Sequence, residues 1–293
     1  MNGLILIDKP PHCTSHDVVR EWRKLAQTKR AGHLGTLDPM ATGLLALVTG
    51  SATRLAQFFQ SEEKSYLAEI TFGVVSDTYD IDGTVVETGV PVPDSETIRQ
   101  VIQSFRGRSM QYPPPVSAKK IGGVRAYKLA RKQMPVELAP VEIEIKELEI
   151  TREQPNQIEL HVTASTGAYM RSLAHDIGQR LGCGAILSRL RRTRIGAFTI
   201  DQAKTLEELA RLAEQGRLQE AVLPAAKLLP QFPAERFSPE IEAQIRQGRD
   251  FRTSPFVVRP GSPFVKALSH SGELIAIGKL KFLNVYHPTL VLN

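Results

Sequence analysis

Apolar positions in this chain fall into short runs broken by Gly, Pro and charged residues, and the spacing within each run predicts its conformation. Gly3 to Asp8 is an apolar run closed by Lys9-Pro10-Pro11 and predicts a strand. Ser15 can cap a helix running to about Ala26, with Val18, Val19, Trp22 and Leu25 as its apolar face. Residues 29–43 are rich in Gly, Thr and Pro and read as loop. Leu44 to Val48, between Gly43 and Gly50, has the unbroken apolarity of a strand covered on both faces. Ser51 opens a short helix to about Phe59, Ser65 to Val75 alternates as a strand, and Thr97 to Phe105 is helical.

The proline density of Tyr112-Pro113-Pro114-Pro115 excludes a central strand, so 111–123 is a loop, followed by a basic helix over roughly 125–133. Two β-rich stretches follow near 141–151 and 157–165, then a helix from Tyr169 to Leu181 that ends at Gly182. Thr205-Leu206-Glu207-Glu208 is a capping box before a further helix. Residues 224–239 carry four prolines and read as a linker. Beyond it come one short helix, with Ser238 as cap and Pro239 at its first position, and β candidates at 256–259, 263–268, 273–281 and 285–292. Strands and helices mix without strict alternation. The expectation is an α+β fold with a mixed, largely antiparallel sheet over 1–230 and a small β-rich module over 231–293.

Composition narrows the function classes. No apolar run is long enough to span a membrane, and an acid, Asp8, interrupts the N-terminal apolar run too early for a signal peptide. Two cysteines, Cys13 and Cys183, make no disulfide framework and lack metal-site spacing, which suits reduced thiols in a cytoplasmic protein. The net charge of +6 suits a polyanionic partner. The cations cluster in three groups: Arg20 to Arg30, Lys119 to Lys132 and Arg189 to Arg194. Such runs are commonly solvated faces, but three of them with few interleaved acids point towards nucleic acid.

The candidate chemistry lies at Asp38. An Asp-Pro pair alone is a turn or helix-start signal. Here the acid stands in a loop between Gly35 and Gly43, directly before a buried strand, with His33, Thr36 and Thr42 close by. Loops at the ends of rigid elements are where active-site residues are commonly placed.

The segment Gly32-His33-Leu34-Gly35-Thr36-Leu37-Asp38-Pro39-Met40-Ala41-Thr42-Gly43 resembles the catalytic signature of the TruB family, the tRNA pseudouridine-55 synthases. The likeness continues in order through Asp8-Lys9-Pro10, Lys64-Ser65-Tyr66, Asp77-Thr78 and Asp80, Tyr112 to Lys119, Ser165 to Arg171, and Leu190-Arg191-Arg192. It covers about residues 1–200 strongly and the remainder weakly, where the C-terminal module looks like a PUA domain. His12, Ser76, Ala168 and Met170 depart from the family's usual residues, away from the acid, the tyrosines and the arginine.

The resemblance implies a pseudouridine synthase fold and an isomerase acting on the T stem-loop of tRNA, working as a monomer. Uracil would be detached from ribose, rotated and rejoined through carbon, without cofactor or metal. The sequence has no Gly-x-Gly-x-x-Gly and no P-loop, and Asp80-Ile81-Asp82-Gly83 is only a fragment of a calcium loop. A free aspartic acid, with a pKa of about 3.9, is ionised near neutrality, so Asp38 suits a nucleophile or base and Arg171 its ion-pair partner. Flipping a base out of a folded loop costs a few kcal/mol, and stacking on an aromatic ring returns about 1–3 kcal/mol. Tyr66 is the stacking face, Tyr169 a packing or hydrogen-bonding group, Leu190 an apolar wall, and His33 a filler of the space the base leaves. Lys119, Lys120, Arg125, Arg191 and Arg192 would hold phosphates. Three alternatives stay open: a guide-RNA-dependent relative acting on ribosomal RNA, an RNA-folding module with an inert Asp38, and a glycosidase-like hydrolase.

Overall fold

The computed structural model describes residues 1–59, 61–116, 120–121, 124–125, 139–258 and 262–292. Its centre is a sheet built from β1 (Gly3–Lys9), β2 (Ala31–His33), β3 (Thr42–Thr49), β4 (Lys64–Phe72), β7 (Gly107–Gln111), β10 (Val141–Gln154), β11 (Gln157–Ala164), β12 (Ala185–Ile195), β13 (Phe198–Thr199) and β14 (Leu223–Pro224). The order across it is β14-β1-β3-β12-β4-β11-β10-β7, with β2 beside β3 and β13 beside β12. Among the described strands of this sheet only the β12–β3 pairing is parallel, Arg191 opposite Thr42 and Arg192 opposite Gly43. Separate two-stranded ribbons pair β5 (Val74–Ser76) with β6 (Val85–Glu87), and β8 (Lys120–Ile121) with β9 (Val124–Arg125).

The unbroken apolarity of β1 and β3 has a two-sided cause. Ile5, Ile7, Leu45 and Leu47 point to one face and join Val18, Val19 and Trp22 of helix α1 (Ser15–Leu25). Leu4, Leu6, Leu44, Ala46 and Val48 point to the other and join Leu55 and Phe59 of the 3₁₀ turn Gly50–Phe59. That second face also meets Leu274, Ile277, Leu290 and Leu292, so the C-terminal module shares a core with the back of the sheet. The segment expected as a linker is therefore packed: Ala225, Leu228 and Leu229 are buried. The module itself is a five-stranded sheet, β15 (Ala234–Arg236), β17 (Phe264–Leu268), β18 (Leu274–Phe282), β19 (Val285–Val291) and β16 (Phe251–Arg252), plus the helix Pro239–Arg246 capped at Ser238. Residues 256–258, expected in a strand, form a turn.

Further differences bear on the site. The arginine-rich run 189–194, read as a basic group, lies in β12 at the middle of the large sheet. The strand expected over 65–75 breaks at Gly73, whose φ is 79°. Thr14, not Ser15, caps α1 through a reciprocal box with Asp17. Of the basic helix expected at 125–133, Arg125 belongs to β9 and residues 126–133 lie outside the described residues.

Candidate active site

Asp38 lies on the 34–41 turn that joins β2 to β3, and that turn is held from three sides. Ser15, released from capping, donates its hydroxyl to Leu37 O at 3.1 Å and accepts the Leu37 N–H at 2.8 Å. On one flank the buried Lys9 ammonium donates to the carbonyls of Pro10, Pro39 and Ala41 at 2.9, 3.2 and 2.6 Å. On the other the buried Arg192 guanidinium donates to Gly35 O, Thr36 O and Leu44 O at 3.1, 3.4 and 2.7 Å. Burial pushes both cations down from their ordinary pKa values, and the carbonyls replace the water they have lost. Gly43 closes the turn at φ 98°, where a Cβ would stand 2.3 Å from the Arg192 carbonyl oxygen. No other residue type fits there.

After α2 (Ser95–Gln103) comes α3 (Met170–Leu181), and Arg171 reaches Asp38 from the first turn of α3. The Gln111 side chain fixes that helix start, accepting the Tyr169 N–H at 2.8 Å and donating to Tyr169 O at 3.0 Å. The guanidinium places Nη2 at 3.0 Å from Asp38 Oδ1 and Nε at 2.9 Å from Oδ2. It also donates to Thr78 O at 3.2 Å and Val116 O at 2.9 Å. A second carboxylate, Asp80, lies 3.5 Å from Nε. The two acids differ in exposure: 30% of the Asp38 side chain is open to solvent, against 5% for Asp80 and 6% for Arg171. Asp38 is therefore the carboxylate of the two that is open to solvent, and Asp80 lies behind the arginine. Burial pushes the Asp80 carboxyl up, the Thr78 hydroxyl and Arg171 pull it back, and the Asp38 charge adds to the rise.

The pair opens onto a cleft of about 760 Å³ lined by His33, Leu34, Tyr66, Tyr169, Leu190 and Lys64, among others. That volume suits a nucleotide-sized ligand. Tyr66 is buried against the Arg192 guanidinium, and burial keeps its phenol protonated by raising its pKa. Lys64 donates to Glu62 O at 2.8 Å, and burial brings its ammonium down to about 8.

Known proteins match this chain in sequence and in fold. The model of the TruB family pseudouridylate synthase N-terminal domain matches residues 23–170, and that of the tRNA pseudouridylate synthase B C-terminal domain matches 171–230. The chain belongs to the TruB family. The tRNA pseudouridine synthase B of Solibacter usitatus (strain Ellin6076) is 50% identical over 293 residues, covering 100% of both chains. That of Aquifex aeolicus (strain VF5) is 43% identical over 85% of this chain and 86% of its own. A solved Cbf5-Nop10-Gar1 complex contains a chain 28% identical, with TM-score 0.71 over 96% of this chain and 79% of that one. An H/ACA ribonucleoprotein bound to a substrate RNA containing 2′-deoxyuridine gives 25% identity and TM-score 0.71, over 99% of this chain and 85% of that one.

The TruB-family fold brings Asp38, Arg171, His33, Tyr66, Tyr169 and Leu190 to one cleft. The expected phosphate contacts fare differently. Arg192 cannot serve, because it is 1% exposed and its donors go to the 35–44 backbone. Arg191 is tied to Asp8 by two hydrogen bonds of 3.1 and 2.7 Å, which set an acid beside its charge. Lys119 lies outside the described residues, and Lys120 and Arg125 stand on the β8–β9 ribbon. Arg20 and Lys24 pair with Asp17 and Glu21 on α1. Arg189, by contrast, is exposed. Two site residues went without an assigned role in the sequence. Asp80 sat in a calcium-loop fragment, and Lys64 was only a flank of the Tyr66 motif. The place of Asp80 within the Asp77-Thr78 and Asp80 stretch of the family resemblance was the available signal for the first.

Proposed function

We propose that this cleft isomerises uridine 55 in the T loop of tRNA to pseudouridine, with Asp38 as nucleophile or base. The protein is a tRNA pseudouridine synthase, an isomerase. One observation carries the site reading: the partly exposed Asp38 carboxylate, held on a braced turn, is paired with an arginine that is itself buried. The reaction breaks the C1′–N1 bond and forms C1′–C5; C5 gives up its proton and N1 takes one. Atoms balance with no redox partner.

In this reading the target base is flipped out of the RNA and enters the cleft. The Tyr66 ring gives it a face and Leu190 an apolar wall. Tyr169, at the head of α3, packs against or hydrogen-bonds the base edge, and His33 fills the space the base leaves. Arg171 keeps Asp38 charged and aimed, since an adjacent cation favours the ionised form. Lys64 supplies a cation at the cleft wall for the polyanion. The boundary between the synthase body and a PUA-like RNA-binding module falls at 230/231, just before the five-stranded sheet begins at Ala234.

The full-length relatives named as tRNA enzymes favour a stand-alone enzyme over a guided one, because the H/ACA neighbours are far less similar. The test is purified protein on a bare tRNA transcript, followed by pseudouridine mapping and mass analysis. The expected product is one mass-silent isomer at position 55. A requirement for guide RNA contradicts the stand-alone reading, and free uracil contradicts isomerisation.

A further inference from the structure

Tyr79 precedes the buried acid Asp80 and has φ 65°, a conformation rare for a bulky side chain. The turn around it is tethered at several points. Tyr79 N donates to Ser76 O at 3.3 Å, Leu187 N donates to Tyr79 O at 3.0 Å, and Ile81 N donates to Leu187 O at 3.1 Å. Its two neighbours hold Arg171: the Thr78 carbonyl accepts from Nη1 at 3.2 Å, and the Asp80 carboxylate lies 3.5 Å from Nε. The Tyr79 ring lies flat on the His175 ring, centroids 3.8 Å apart and planes 6° apart. His175 follows Arg171 by four residues on α3, so both project from one face of the helix. One helix therefore carries the guanidinium and the ring that clamps the turn feeding it.

We propose that the Tyr79–His175 stack is a positioning device for Arg171: it locks the 78–80 turn so that carbonyl and carboxylate aim the guanidinium at Asp38. A strained φ persists only where its surroundings over-determine it, and here the ring stack ties the turn back to the arginine's own helix beside the contacts that Arg171 itself makes to Thr78 and Asp80. The state of the rings agrees. Burial pushes the His175 imidazole down, and burial with the nearby Asp176 pushes the Tyr79 phenol up, so both rings are uncharged near neutrality. Tyr79 and His175 are positioning residues; nothing requires them to touch the RNA.

This inference rests on the assignment of Asp38 and Arg171 above, and single-turnover pseudouridine formation on a tRNA transcript separates the two. Misplacing a reacting group by about 1 Å can cost about 10²-fold in rate. Tyr79→Gly, which suits the positive φ but removes the ring, and His175→Ala are each expected to slow the step by about 10- to 100-fold. The tRNA Kd stays within about twofold and the Tm within about 3 °C. Tyr79→Phe and His175→Phe, which keep a ring, hold the rate within about threefold. Combined with Asp80→Asn, the His175→Ala loss is less than multiplicative, as for residues acting through one network. Wild-type rates in Tyr79→Gly and His175→Ala overturn the proposal. So does an equal loss in His175→Phe, or a loss lying wholly in tRNA affinity. Asp38→Asn in the same assay tells the two failures apart. If it is active, the site assignment fails. If it is inactive while the ring variants run at full rate, only the stack proposal fails.

Discussion

Two regions of the molecule pin an irregular segment in the same way, with a buried lysine shared between backbone carbonyls. Lys9 holds Pro10, Pro39 and Ala41 at the mouth of the large sheet. Lys266 holds Ala226 and Leu228, each at 3.0 Å, where the chain passes into the C-terminal module. Burial pushes both ammonium groups down. What the lysines hold differs. The segment under Lys266 turns Ala225, Leu228 and Leu229 into a core. The turn beside Lys9 carries a partly exposed carboxylate across from a buried guanidinium. A buried, carbonyl-bound cation thus marks a braced segment, and it marks a site only where the braced segment carries a charge that faces solvent.

The largest effect is expected at the centre of that difference. Arg171→Met leaves Asp38 and Asp80 side by side without their cation. We expect at least about 10³-fold slower pseudouridine formation, and about 3–5 kcal/mol of lost stability from the uncompensated buried Asp80, read by urea unfolding. Lys9→Met leaves three carbonyls without their donor and should cost about 3 kcal/mol, with about 10²-fold in rate as the Asp38 turn loosens. Lys266→Met, the matched change in the other region, should cost about 2 kcal/mol and leave the rate within about twofold. Equal rate losses in the two lysine variants would erase the comparison.

The smallest effect has the opposite sign. Burial pushes Asp176 from 3.8 up to about 6. A carboxyl raised on folding costs nothing while protonated in both states, costs progressively more between those values, and costs its full amount above them. Allowing for its partial exposure, Asp176→Asn should add about 1 kcal/mol at pH 7.5 and close to nothing at pH 3.5, in parallel unfolding titrations.

The sequence was legible where one rule acted alone. The apolar run of β3, the Thr205 box and the Gly182 end of α3 each follow from local spacing, and the structure keeps them. The strand β12 was hidden because bulges between Leu187 and Arg189 and between Arg192 and Arg194 shift the phase of its alternation, while its arginines read as surface. The same run explains the Arg192 correction: a cation expected to hold phosphate is buried because Gly35, Thr36 and Leu44 turn their carbonyls to it, a contact between distant segments that no spacing encodes. Ser15 moved from cap to brace for a similar reason, since Thr14 offers the same capping chemistry one residue earlier and leaves Ser15 for Leu37. Asp38, Arg171 and the cleft side chains were reached through an ordered motif. Asp80 carried no role until the fold set it beside Arg171.

The central claim is that the partly exposed Asp38 carboxylate performs the chemistry while the surrounding frame only holds it. The direct measurement is single-turnover pseudouridine formation at tRNA position 55 by Asp38→Asn, with tRNA Kd measured on the same preparation. The account predicts at least about 10³-fold slower isomerisation with a Kd within about twofold of wild type. Isomerisation at the wild-type rate would contradict it.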